Sequence, residues 1–185
     1  MKKKLFLASA IFLAFALLLQ NQNAESSLPH LTYQLPQAQK WKRFKDFDLD
    51  LAGPKQYYFS DTEDIDLNVV PIDDDLLTSL NERGEKQFVE DIMRGKNAIN
   101  QMFAVGETKL IEYKISNGAS GQKILSLKTE QQIVNEYFYV IEKYFIYPKQ
   151  AVNFQLRFSQ NSDQALAKQA QTLFEQINPQ AALRK

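Results

Sequence analysis

The chain has 185 residues, which is enough for one domain with a sizeable hydrophobic core. Its 22 basic and 22 acidic side chains balance, so no basic excess indicates binding to nucleic acid or to an anionic lipid surface. The sequence contains no cysteine. Disulfides, thiolate nucleophiles, zinc–thiolate sites and the lipid-bearing cysteine of bacterial lipoproteins are therefore excluded.

The first 24 residues have the layout of a secretory signal peptide. Three lysines precede an apolar run, Leu5 to Leu19, that would extend about 22 Å as a helix, less than the roughly 30 Å core of a bilayer. We predict cleavage between Ala24 and Glu25. Gln22, the third residue before this cleavage point, is larger than the small residue usually found there. The alternative is an uncleaved segment that anchors the chain in the membrane through residues 5–19. Both alternatives place residues 25–185 outside the cytoplasm, either periplasmic or extracellular.

The rest of the chain is predicted to contain a linker with a first strand (25–38), one α+β domain (39–178) and a C-terminal tail (179–185). Alternating or β-branched and aromatic residues predict several strands in the first half of this region. The early strand candidates are 31–35, 47–51, 57–59 and 66–72.

Cleavage after residue 24 would leave 19 basic against 22 acidic side chains, so the mature chain would be slightly acidic.

Apolar residues then recur at helical spacing across residues 75–103. The three aspartates 73–75 precede this segment, and an aspartate is a good helix cap. Gly84 lies on the apolar stripe, so we predict one long helix or a helix interrupted there. A second helix is predicted from a cap at Asn161, with Gln164 reaching back to it, to the residues before Pro179.

Between the two helices the period changes to two. Residues 109–115, a turn at Gly118–Gly121 and residues 122–129 predict a hairpin, with Ile111, Tyr113 and Ile115 on one face. Residues 133–147 are apolar on both faces, which indicates a strand buried on both sides. Residues 152–158 alternate with polar residues, which predicts one solvated face. An antiparallel sheet covered by helices on both faces, an α/β/α sandwich, accommodates these elements.

This order of elements resembles the PsbP/DcrB-like sandwich. The resemblance is carried by an early strand near Trp41, the run from Asp66 to Ile72, the long middle helix and the closing unit from Ile141 to Ile177. Members of that group are often small exported proteins, and many are binding or assembly factors rather than enzymes. The resemblance implies an α+β fold and transfers no functional residue.

Few residues are candidates for catalysis, metal binding or phosphate binding. The single histidine, His30, lies in the predicted linker, where no rigid scaffold would hold it for catalysis. The acidic residues near 61–66 and at 73–75 lack the glycine and terminal glutamate of a calcium-binding loop, so we interpret them as a solvated loop and a helix cap. Gly118–Gly121 lies between two strands and reads as a hairpin turn rather than a phosphate loop. No catalytic residue, cofactor or metal is predicted.

The aromatic residues provide the candidate interaction surface, which comprises Trp41, Tyr137 and Tyr139. Tyrosine and tryptophan suit partly wet contact surfaces, although aromatic rings in strands more often belong to the core. We expect an exported, non-enzymatic protein that docks to another exported or envelope protein, or acts as an immunity or assembly factor. The alternatives are a carrier of a small apolar ligand or lipid, and a hydrolase that uses a carboxylate pair.

Overall fold

The structure is a computed structural model that describes residues 31–44, 55–60, 62–72, 75–104, 106–119, 121–133 and 135–181. The predicted strand 47–51, His30 and the cleavage site at Ala24 and Glu25 lie outside these residues. The described elements, in chain order, are β1 (Leu31–Thr32), a 3-10 turn (Ala38–Lys40), β2 (Trp41–Arg43), β3 (Lys55–Phe59), β4 (Thr62–Ile72), α1 (Leu76–Arg83), α2 (Glu85–Met102), β5 (Thr108–Asn117), β6 (Lys123–Ile133), β7 (Glu136–Tyr147), β8 (Gln150–Ser159), α3 (Gln164–Glu175) and β9 (Gln180–Ala181).

Seven of the strands form one antiparallel sheet in the order β2-β3-β4-β8-β7-β6-β5. Strands β1 and β9 form a separate antiparallel pair. The chain therefore brings its described ends together, and β9 lies within the segment 179–185 that the sequence analysis separated as a tail. The antiparallel α+β architecture predicted from the sequence is confirmed.

The interruption predicted at Gly84 separates α1 from α2. Gly84 has φ 78° and ψ 163°, a backbone conformation almost restricted to glycine, and its N–H still donates to Leu80 O at 3.0 Å. At the start of α1, the carboxylate of Asp75 accepts hydrogen bonds from the Thr78 N–H at 3.0 Å and the Thr78 hydroxyl at 2.9 Å. The predicted aspartate cap is therefore confirmed at this residue.

The helices cover opposite faces of the sheet, as expected for a sandwich. Helix α3 buries Ala167, Ala170, Leu173 and Phe174 against one face. Helices α1 and α2 pack on the other face. The buried residues of that second core are Val70, Ile72, Leu80, Phe88, Val89, Leu125, Leu127, Tyr144, Ile146 and Ala151.

Strand β8 differs from its prediction because both of its faces are buried. Its polar residues Asn153, Gln155 and Arg157 are each at most 2% exposed. Asn153 and Arg157 donate to carboxylates on neighbouring strands, Glu142 and Asp66. These partners lie on other strands, so the alternation of polar and apolar residues along β8 suggested a solvated face where neighbouring strands supply buried carboxylates.

Three local features also differ from prediction. The cap of α3 is Asp163, which accepts a hydrogen bond from the Leu166 N–H at 2.9 Å, rather than Asn161. The predicted first strand 31–35 pairs only over β1. Strand β6 continues to Ile133, so the doubly buried strand begins at Glu136.

The predicted β5–β6 hairpin is present, and its turn lies at Gly118–Gly121. The Gly118 N–H donates to Gln122 O at 2.7 Å, and the Gly121 N–H donates to Gly118 O at 3.1 Å. The register shifts between Leu110 and Glu112, as at a β-bulge. Ile111 therefore does not share the alternation of the residues that follow it, and the predicted single apolar face is interrupted there.

Candidate functional site

The predicted interaction surface separates into buried and exposed residues. Tyr137 and Tyr139 lie two positions apart at the start of β7 and are 40% and 37% exposed. Trp41 is only 6% exposed. Its indole N–H donates to Pro36 O at 3.1 Å, and its ring centroid lies 4.8 Å from that of Phe59. Trp41 is therefore a core residue, and its ring is too deeply buried to belong to the predicted interaction surface.

Tyr137 and Tyr139 lie on the face of the sheet that carries α3, beyond the area that α3 covers. The core that α3 completes contains no residue of β5 and only Ile124 of β6 at its margin. Across β6, Tyr139 pairs with Glu130 and Tyr137 with Gln132. The ring of Tyr139 lies 5.7 Å from that of Phe158, which positions it against the core edge. We call Tyr137 and Tyr139 with the adjoining face of β6 the tyrosine surface.

Exposed apolar side chains also lie at the end of α2, in the first half of β5 and at the start of β7. Leu110 and Tyr113 pair with Thr129 and Leu127 of β6, so they lie on the face that carries α1 and α2, opposite Tyr137 and Tyr139. These segments meet because Asn100 of α2 donates to the Thr108 hydroxyl at 2.8 Å, and Gln131, which donates to Asn100 Oδ1 at 3.4 Å, pairs with Phe138. The large apolar residues exposed in the described part of the chain are Met102, Phe103, Leu110, Ile111, Tyr113, Tyr137 and Tyr139.

The opposite face of the sheet carries a buried ion pair. Arg157 Nε and Nη2 donate to Asp66 Oδ2 at 2.9 and 2.7 Å, and Asn68 donates to Asp66 Oδ1 at 2.7 Å. Burial raises the pKa of Asp66, whereas the Arg157 guanidinium and the Asn68 amide act in the opposite direction. The acidic cluster 61–66 was expected to form a solvated loop, and Asp66 was also the first residue of the strand candidate 66–72. Asp66 lies inside β4, where its buried carboxylate is satisfied by a cation.

A second buried carboxylate, Glu142, connects the sheet to α2. Its Oε2 accepts hydrogen bonds from Lys96 at 2.9 Å, Tyr144 at 3.1 Å and Asn153 at 3.2 Å. Burial, with the Glu142 charge as the second cause, raises the pKa of Tyr144 well above its ordinary value, so this phenol remains a donor at neutral pH. The cations beside Glu142 and Asp66 give these two carboxylates a structural role.

A groove of about 580 Å³ lies between the segment before the 3-10 turn and the end of α3. Burial and a hydrogen bond raise the pKa of Tyr33 at its wall, where the hydroxyl groups of Tyr33 and Tyr57 lie 2.9 Å apart. Four primary amides dominate the lining, which offers little to an apolar ligand. The residues lining the groove are Tyr33, Gln34, Leu35, Pro36, Gln37, Gln176 and Asn178.

Two further features are absent from the described ranges. No group of three or more histidine, cysteine or acidic side chains is arranged there to hold a metal ion. None of the helices among those residues combines the length and the apolar character needed to cross a bilayer.

Comparison with known proteins identifies the fold. No protein-family model and no curated protein sequence matches the chain. The solution structure of cyanobacterial PsbP (CyanoP) from Synechocystis sp. PCC 6803 is similar, with a TM-score of 0.57 and 11% identity over 85% of this chain and 97% of that chain. LpqN from Mycobacterium tuberculosis, involved in cell envelope biogenesis, has a TM-score of 0.49 and 14% identity over 84% of this chain and 87% of that chain. The chain has a PsbP-like fold, and the resemblance seen in its sequence is confirmed at the level of the fold.

Proposed function

We propose that this chain is an exported, non-enzymatic binding domain that docks to another exported or envelope protein through the tyrosine surface. The observation that carries the proposal is the exposure of Tyr137 and Tyr139 on a part of the sheet that α3 leaves uncovered. Docking of an immunity or assembly factor to its target is the form of activity that we favour.

The composition of this surface fits a protein partner. Two half-exposed tyrosines provide apolar area and hydroxyl groups, and the neighbouring Glu130 and Lys128 on β6 add charge of both signs. Tyrosine anchors surrounded by polar residues are typical of protein–protein interfaces. Because Tyr139 is held against Phe158, its ring loses little conformational freedom on binding.

The PsbP-like fold supports the proposal only in general terms, because one fold hosts many functions. The carrier alternative receives less support, because the described groove is lined mainly by amides. The hydrolase alternative is also weaker, because Asp66 and Glu142 are each neutralised by a cation in the core.

Site-specific photo-crosslinking in the producing cells tests the proposal. A photoreactive phenylalanine analogue would replace Tyr139 in the full-length chain with a C-terminal tag, and Lys168 on the exposed side of α3 would be replaced in a control. We expect an adduct with a defined exported protein from position 139 and none from position 168. The absence of any protein adduct at 139, or the same adducts at both positions, would reject the tyrosine surface as the docking site.

Export is tested on the same protein. N-terminal sequencing of the tagged chain, combined with fractionation of the cells, distinguishes a chain that begins at Glu25 from one that retains Met1. We expect the chain in the exported fraction, beginning at Glu25. A tagged chain that remained in the cytoplasm with its first residues intact would contradict the proposed location.

A further inference from the structure

Strand β5 presents a long free edge. It is the last strand of the seven-stranded sheet and no described strand pairs with its outer side. Residues 109–114 are all exposed. The N–H and C=O groups directed away from β6 therefore have no sheet partner in the described ranges. Such an edge is a template for a strand from another chain.

Exposed apolar side chains flank this edge. Leu110, Ile111 and Tyr113 are 39%, 56% and 41% exposed. Apolar residues along an unpaired edge are unusual, since natural edges are normally short, charged or covered. The opposite edge of the sheet follows that rule, because β2 has three residues and carries Lys42 and Arg43. The two edges of the sheet thus differ in length and in polarity.

We propose that β5 pairs with β5 of a second copy of this chain, in antiparallel orientation, with Tyr113 on the two-fold axis. In this register Glu112 of each copy lies opposite Lys114 of the other. Opposite charges directly across a strand pair are stabilising. The seven-stranded sheets of the two copies then form one continuous sheet.

The charges on β5 select this register. A two-fold axis perpendicular to the sheet maps each face onto itself, so it passes midway between one residue and the same residue of the second copy. Centring on Glu112 places two carboxylates opposite each other, and centring on Lys114 places two ammonium groups opposite each other. Only the register centred on Tyr113 pairs Glu112 with Lys114. Glu112 also forms an ion pair with Lys128 of β6, so its carboxylate would lie between two lysines.

The geometry also limits the assembly to two copies. Pairing occupies the outer side of β5 in both copies, and among the described strands the short basic β2 then forms either end of the joined sheet. The register shift between Leu110 and Glu112 bends the first part of β5, so regular pairing is confined to residues 112–114 of the two copies. A closed dimer is therefore expected rather than a growing filament.

Charge reversal tests the dimer and its register together. We would compare the protein recovered from the producing cells with Glu112→Lys, Lys114→Glu and the double exchange by sedimentation velocity over a range of concentrations. We expect a wild-type dimer, dissociation constants raised at least about tenfold in each single variant, and recovery in the double variant. A wild-type monomer at every concentration, or single variants that dimerise like the wild type, would overturn the proposal. Fluorescence of Trp41 verifies that each variant is folded.

Single cysteines provide an independent readout, because the chain has none of its own. Tyr113→Cys is expected to form a disulfide-linked dimer under oxidising conditions, whereas Lys168→Cys on α3 is not. Equal crosslinking of the two variants would contradict pairing at β5. Neither variant alters Tyr137 or Tyr139, so failure of the dimer and failure of the tyrosine surface are distinguishable.

Discussion

The buried ion pair between Asp66 and Arg157 gives the sharpest test of how the sheet is held together. Both side chains are at most 3% exposed, and Arg157 makes two hydrogen bonds to one carboxylate oxygen. The guanidinium also lies 5.3 Å from the centre of the Phe138 ring. Removing one partner leaves the other charge buried without compensation, which costs about 3–5 kcal/mol.

We therefore expect Asp66→Leu and Arg157→Met each to lower the free energy of unfolding by about 3–5 kcal/mol. The midpoint temperature should fall by about 6–20 °C, using about 2–4 °C per kcal/mol for a chain of this size. The double variant removes both charges and should be more stable than either single variant, because apolar residues of similar volume can replace a buried pair.

Urea unfolding followed by the fluorescence of the single tryptophan, Trp41, measures these differences, since its ring is buried in the folded state. Arg83→Met is the matched control. Arg83 also pairs with an aspartate, Asp91, but its side chain is 56% exposed, so we expect a loss of at most about 1 kcal/mol. Single core variants that resembled this control, or a double variant that lost the sum of both, would refute the reasoning.

Three other predictions concern the core and the helices. Phe154→Ala, at a side chain with no exposure, should lower the free energy of unfolding by about 3–5 kcal/mol in the same urea assay, and a loss below about 1 kcal/mol would place this ring outside a packed core. Gly84→Ala should destabilise by about 1–3 kcal/mol because of the positive φ, whereas Gly95→Ala inside α2 has open space around it and should stabilise by up to about 1 kcal/mol; equal effects would contradict the break between α1 and α2. Hydrogen bonds from Thr78 lower the pKa of Asp75, so its contribution is complete above the ordinary value of 3.8 and is lost as the pH falls through the lower folded-state pKa; urea titrations at several pH values should show the stability difference between wild type and Asp75→Ala shrinking over that acidic range, and a difference that grew there would contradict this sign.

The parts of the fold that depend on local pattern could be predicted from the sequence. Strand β7 was recognisable because apolar residues occupy both of its faces, and the helix break was recognisable because Gly84 interrupts a regular stripe. The start of α1 could also be predicted locally, because the Asp75 side chain caps the helix through Thr78, only three residues away.

The predictions were wrong where the burial of a side chain depends on its partners on other strands. Asn153 and Arg157 looked solvated because their buried acceptors, Glu142 and Asp66, lie on other strands. The burial of Trp41 likewise depends on packing with a residue of another strand, Phe59, which its local sequence does not reveal. Tyr137 and Tyr139 could be proposed from the sequence. Their exposure, however, depends on how much of the sheet α3 covers, and no local sequence pattern shows this.

The central claim is that Tyr137 and Tyr139 form a docking surface for another exported protein. The most direct test is quantitative mass spectrometry of proteins crosslinked in cells to the tagged full-length chain, compared with the variant Tyr137→Ser/Tyr139→Ser and the control Lys168→Ser. We predict that at least one exported protein is recovered with the wild type and the control, and is depleted at least about tenfold with the double variant. Recovery of the same proteins in the same amounts with all three chains would contradict the account.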